Sequence, residues 1–266
     1  MTDYVRLDAW DLGFAALLLL GVAALSLLLQ LRIEKKLLIA GLRCALQLAL
    51  VGLVLTKLFE LVSPLWTGLA ALAMVLFAGR EIMARQERGF EPAWAYGIGT
   101  SAMLMAAALV TVFALTSAVR PDPWYDPRYA LPLLGMIMGN TMTGIALGLQ
   151  RLTEGARQQR AGIEALLCLG ATRRKALLPV TRQALTTALM PIINSLAATG
   201  LVSLPGMMTG QILAGVEPLE AVKYQLMIMF MIAAGTTIGA VAAVYAGLHR
   251  LTDNRDRLRL DRLAGE

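Results

Sequence analysis

One histidine and two cysteines stand among the 266 residues, and only 16% of the chain is charged. A lone His249 leaves no partner for an HExxH zinc site and disfavours a Ser–His protease. Cys44 and Cys168 lie in different regions, which excludes a disulfide framework and a CxxC metal pair. No GxxxxGK followed by Ser or Thr occurs, so the chain does not bind ATP through a P-loop. The acidic residues are placed as tellingly as they are scarce. Glu34, Glu60, Glu81, Glu217 and Glu220 all fall at the ends of apolar stretches or in loops. Proton- and sodium-coupled carriers draw on carboxylates inside the membrane, and none is expected here. Asp3, Asp8 and Asp11 precede the first apolar run where a secretory signal carries Lys or Arg, and no small-residue cleavage site follows, so that run is expected to remain as the first helix.

What fills the chain instead is hydrocarbon: 58% hydrophobic residues and a mean hydropathy of +0.65. Runs such as Leu17–Leu20 and Val51–Leu55 show no apolar–polar alternation, which excludes a transmembrane β-barrel. About 20 mostly apolar residues carry a helix across the bilayer. The sequence predicts an all-α, polytopic membrane helix bundle of about seven spans, near 12–31, 37–57, 65–84, 96–117, 130–150, 180–202 and 224–247. No internal repeat or linker divides it, so residues 1–266 are expected to form a single permease domain.

The basic residues fix an expected orientation. With the N-terminus outside, the inner segments hold 18 of the 24 Lys and Arg, including Arg32, Lys35, Lys36, Arg80, Arg85 and Arg88, seven in 151–182 and five in a basic tail at 249–266. The outer segments hold five: Arg6, Lys57, Arg120, Arg128 and Lys223. This bias predicts N-out/C-in. It also accounts for the net charge of +6 without nucleic acid, for which no basic helix or RNP-like motif is present. Loop 118–129, with three prolines, Trp124, Tyr125 and Tyr129, falls outside at the interface. Segment 203–223 also falls outside and is too short to span, which leaves a re-entrant turn or an interfacial helix.

Segment 151–179 carries the clearest local pattern. Residues 156–169 read as helix, with Ile163, Leu166 and Leu167 on one face; Gly170 suits a helix C-terminus, and Thr172 suits the N-cap of a second helix from Arg173. A helix–turn–helix of this kind either docks in a groove on a soluble partner or lies as an ordinary amphipathic interfacial helix.

Glu164-Ala165 followed by Gly170, with Leu178-Pro179 beyond, has the spacing of the EAA-type coupling loop of ABC permeases, with a shorter Gly-to-Pro interval than in many importers. GMIMGNTMTGIALGLQRL at 135–152, GLVSLPGMMTGQILAG at 200–215 and AVKYQLMIMFMI at 221–232 resemble the FetB-type iron-export permease family, which includes the plant aluminium-sensitivity permeases. The resemblance covers about residues 10–252. It implies a bacterial inner-membrane permease without a cofactor of its own, paired with a separate ATPase that supplies ATP and Mg, and exporting iron or a related metal. For the plant members it implies a solute linked to aluminium tolerance, either a metal or a sugar nucleotide. The coupling residues it implies are Ile163, Glu164, Ala165, Gly170, Ala171 and Thr172. A homodimer is expected, because seven helices rarely enclose an alternating pathway alone. A non-transporting membrane anchor or signalling subunit is the reading from a different class.

Polar residues inside spans are the pathway candidates. Arg43 and Gln47 share a helix face and serve either as a pore or gate pair or as a structural pair bonded to carbonyls or to Asn140. Asn140, Thr141 and Asn194 either hold helices together or line the path. Gln211 and Glu217 are the nearest hard-oxygen groups to an outer exit. The 14 methionines read as core or lipid-facing filler, and the GxxxG pairs 135/139, 144/148, 206/210 and 235/239 as close helix approaches. Pro179 and Pro191 are expected to kink the sixth span.

Overall fold

A computed structural model describes residues 8–86, 89–253 and 255–264. Asp3, Arg6 and Arg88 lie outside them. The described chain is helical throughout: α1 (Ala9–Leu28), α2 (Glu34–Leu61), α3 (Pro64–Ala84), α4 (Pro92–Phe113) with a π-helical continuation (Ala114–Val119), α5 (Pro127–Gln158), α6 (Arg160–Cys168), α7 (Arg173–Ala176), α8 (Leu178–Ala198), α9 (Gly206–Leu213) and α10 (Pro218–Arg250). Among the described residues β-pairing is limited to isolated bridges. Prolines mark the helix starts: Pro64, Pro92, Pro127, Pro179 and Pro218 each sit in a first turn, where the missing N–H has no partner to lose.

Six of these helices, α1 to α5 and α10, are long and apolar enough to cross a bilayer, with mean hydropathies of 1.4 to 2.2. The chain is a polytopic helical membrane protein. The expected span at 180–202 corresponds to α8, which has 21 residues, about 31 Å at 1.5 Å each. It is long enough, but Arg182, Gln183 and Asn194 lower its hydropathy and keep it from being one of the six. Pro179 does not kink it, because it lies in the first turn; Pro191 lies inside. The 203–223 segment holds a short helix, α9, too short to span, and the start of α10.

The chain folds into two compact units. In one, containing α1 and α2, Gly41 lets the helices close, since a Cβ there would fall 2.5 Å from Leu19 Cδ2. The turn between them is tied by the Ser26 hydroxyl, which donates to Glu34 at 3.1 Å and accepts from the Ile33 amide at 3.4 Å. The other unit holds α3 to α8 and α10, with most of α9. Its hub is α5, packed against α3, α4, α8 and α10. Of the four glycine pairs, two make close contacts. A Cβ at Gly239 would meet Thr141 Cγ2 at 2.5 Å, and one at Gly235 would meet Ile137 Cγ2 at 2.8 Å. Gly144 faces Thr236 and the Ala188 carbonyl, and Gly148 faces Val244 and Ala188. Gly139, Gly206 and Gly210 face open space, and Gly135 makes only an ordinary contact. Dispersion between backbones at Gly144/Gly148 and Gly235/Gly239 thus fastens α5 to α10 and α8.

The C-terminal tail is folded. Leu260 and Leu263 are buried in the main core, Leu263 bridges Phe90, and the Ala264 amide donates to the Gly89 carbonyl at 2.9 Å. Arg157 of α5 donates to the Ala264 carbonyl at 2.9 Å, and Arg262 donates to the Arg250 carbonyl at 2.9 Å. Asp253 organises the turn: the Arg257 amide, its guanidinium and the Arg255 amide donate to its carboxylate. The Arg257 amide contributes most, and together these bonds outweigh partial burial and hold the Asp253 carboxyl at about 2, from an ordinary 3.8.

Two outcomes are expected. Gly239→Val overpacks the α5–α10 seam and costs about 1–3 kcal/mol, read as a lower Tm in detergent, whereas Gly97→Ala, which meets nothing within 4 Å and favours the helix, does not lower Tm. Because the Asp253 carboxyl is held low in the folded tail, its stabilisation is complete above about pH 4 and is lost as pH falls toward about 2. Pepsin cleavage within 251–264 should rise over that window in the wild type, while Asp253→Asn should already be cleaved at about pH 4.

Candidate functional site

The buried side of α5 is apolar and tight; its other side is neither. Met136, Gly139, Asn140, Thr143, Leu147, Gln150, Arg151 and Glu154 recur at three- and four-residue steps, so they share one face, and each is exposed or only half-buried. Asn140 lies within the stretch that crosses hydrocarbon. Its amide donates back to the Met136 carbonyl at 3.0 Å, so its other polar atoms point outward. Thr143 donates to the Gly139 carbonyl at 3.2 Å and accepts from Arg85 Nη1 at 3.3 Å. Arg85, just after α3, thereby brings a guanidinium onto the same face.

The neighbouring helix continues this surface. On α8, Gln183, Thr186, Met190, Asn194 and Ala197 share one exposed face. Arg151 Nη2 donates to Gln183 Oε1 at 3.4 Å, and the contacts of Gly144 and Gly148 with Ala188 set an antiparallel register. Eleven residues along each helix from Arg151 and Gln183 lie Asn140 and Asn194, which this register places at the same depth. Four carboxamides (Asn140, Gln150, Gln183 and Asn194), hydroxyls and two guanidiniums thus mark a polar strip along α5 and α8. Among the described residues no three His, Cys, Asp or Glu side chains converge to hold a metal ion.

The other candidates fall elsewhere. Thr141 is fully buried against α10, its hydroxyl without a hydrogen-bond partner; it packs helices and does not face the strip. Gln211 is half-buried on α9 with an unpartnered carbonyl oxygen, and Glu217 is exposed as the residue before α10. Arg43 and Gln47 are exposed on α2, in the other unit. Arg85, Arg151 and Gln183 were not singled out from sequence. Their signal was the matched spacing of polar residues along two helices, which becomes visible only once the helices are paired.

The turn between α6 and α7 forms the second element. Gly170 adopts φ +87°, and the Ala171 and Gly170 amides donate to the Leu166 and Leu167 carbonyls, each at 3.0 Å. This double bond pattern closes a helix only through a left-handed residue, hence glycine. Thr172 precedes α7 in extended conformation, but its hydroxyl does not cap the helix. Ile163 is buried and anchors α6 in the core. Glu164 pairs with Arg160 at 2.9 Å on the surface, and Ala165 and Cys168 are exposed. Leu166 and Leu169 project outward, Leu169 with 83% of its surface exposed. Arg173 lies 3.7 Å from Asp256 of the tail, so the turn is tied to the folded C-terminus as well as to α8.

The profile of the uncharacterised protein family UPF0014 matches residues 9–252. The chain is 38% identical over 243 residues to the UPF0014 membrane protein slr1647 of Synechocystis, covering 90% of this chain and 91% of that one. It is 34% identical over 231 residues to the protein Aluminum Sensitive 3 of Arabidopsis thaliana, covering 87% and 82%. Over 139 residues it is 34% identical to the probable iron export permease protein FetB of Escherichia coli, covering 52% and 54%. No solved structure matches. With the family profile spanning residues 9–252 and nine-tenths of its length aligned to the Synechocystis relative, the chain belongs to the UPF0014 family of membrane proteins.

Proposed function

We propose that this chain is the permease subunit of an ATP-binding cassette transporter that exports iron or a related metal from the bacterial cytoplasm. The observation that carries the reading is the α6–α7 turn: a glycine-closed corner, anchored by Ile163 and presenting Leu166 and Leu169 to solvent. Exposed leucines on a rigid corner, ringed by Arg160, Arg174 and Lys175, suit insertion into a groove on a soluble partner. The partner is a cytosolic P-loop ATPase that carries ATP and Mg. The orientation is N-out/C-in, with α8 crossing as the seventh span in the inner membrane. Two permease copies face each other across the α5–α8 strip, so that Asn140, Asn194 and Arg85 border a wet path and escape the penalty for polar groups in lipid. Nucleotide-driven closure of the ATPases would push the corner and, through it, α8 against α5.

The guanidiniums of Arg85 and Arg151 on this strip favour cargo that presents oxygen anions, such as a metal bound to a carboxylate-rich ligand, over a bare cation, which they repel. This also favours the second reading, an anionic organic solute as export cargo.

Leu169→Glu is expected to weaken capture of the ATPase at least about tenfold with Tm unchanged, because the side chain is exposed. Gly170→Val strains the left-handed corner by about 1–2 kcal/mol and should lower ATP-dependent iron accumulation in inverted vesicles while the protein still inserts. Undiminished ATPase capture by both variants would remove the coupling role.

A further inference from the structure

The wall between α3, α4 and α5 departs from the rest of the apolar surface. Gly68, Ala71 and Ala108 there leave a hollow of about 390 Å³, within the range of small-molecule sites. Its floor is closed by buried Val75 and Leu134. Its side opens past Leu72, which is exposed to the bilayer. At one end stand Trp124 and Tyr125, whose rings meet edge to face at 6.0 Å. Such rings settle at headgroup depth, so the hollow runs from the interface into hydrocarbon. Leu115, in the π-helical continuation of α4, lines it near that end; π segments recur at functional sites.

We propose that this hollow binds one acyl chain of a bilayer phospholipid, with the headgroup beside the 120–128 loop. An empty apolar hollow forfeits dispersion contacts along its whole wall. It is continuous with the lipid-facing surface, where hydrocarbon chains are the abundant apolar matter. The loop at its mouth carries Arg120 and Arg128 together with Asp122 and Asp126, both signs that a zwitterionic headgroup also carries. The site is separate from the polar strip and does not depend on the export reading.

The test is native mass spectrometry of the full chain, purified from membranes and exchanged through detergent until surface lipid is stripped. Wild type should retain one phospholipid per copy. Gly68→Leu, whose added carbon enters open space, should reduce that retention at least about tenfold, since displacing two methylenes suffices. Ala108→Leu fills the same hollow from α4 and should do the same. Gly97→Leu, also unobstructed but outside the hollow, should retain lipid as wild type does. Absence of bound lipid in wild type, or equal retention in Gly68→Leu and Gly97→Leu, would overturn the proposal. So would a lipid-free dimer that Gly68→Leu alone splits, because the occupant would then be a second copy.

Discussion

Inside hydrocarbon a polar group without a partner costs several kcal/mol, and this constraint organises the molecule around α5. One side of that helix obeys it largely by omission: Ile137, Ile145, Leu149 and Leu152 are buried and apolar, with the unpartnered Thr141 hydroxyl an exception. The other side exposes Asn140 and Thr143 in mid-span, with Arg151 and Glu154 farther along. Local bonds satisfy only part of this inventory. The Asn140 amide turns back on the Met136 carbonyl and Arg85 reaches Thr143, yet oxygens and guanidinium hydrogens remain directed outward. A face of that composition is tolerated in a membrane where it meets water or another protein.

The packing elsewhere keeps this face rigid. Gly144 and Gly148 bring α8 close, and Gly235 and Gly239 bring α10 close, so α5 is clamped on the side away from the strip. The α6–α7 corner extends that clamp. Ile163 is rooted in the same core as Leu149 and Leu152, Arg173 approaches the tail, and the tail is bonded to Arg157 at the end of α5. Under the proposed coupling, a push on the corner would act on α8 and α5 as packed bodies, the arrangement that turns a small displacement into a discrete shift of helices.

Much of this was legible in the sequence, because its strongest signals are long. Apolar runs of about 20 residues predict spanning helices. Gly170 predicts the corner, since a left-handed closure demands glycine. What escaped was set by pairing. The sequence weighs all four glycine pairs alike, yet only two make close helix approaches. Thr141 and Asn140 are adjacent and equally polar, but a 100° step buries one and exposes the other. The tail reads as a charged extension because its arginines dominate its composition; Leu260 and Leu263 count only once the core receives them. The relatives named for iron export and for aluminium sensitivity align with this chain without fixing one cargo, and among the described residues no cluster of His, Cys, Asp or Glu could hold a metal ion.

The most direct measurement is the reactivity of single cysteines along α5 toward a charged, water-borne thiol reagent, in membranes, with Cys44 and Cys168 replaced by alanine. Modification at 140, 143, 147 and 151, with protection at 137, 145 and the lipid-facing Leu109 of α4, is the expected pattern and marks a wet strip within the bilayer. Uniform protection of 140, 143 and 147 would mean that this face is sealed by lipid or packing, and the pathway would have to lie elsewhere.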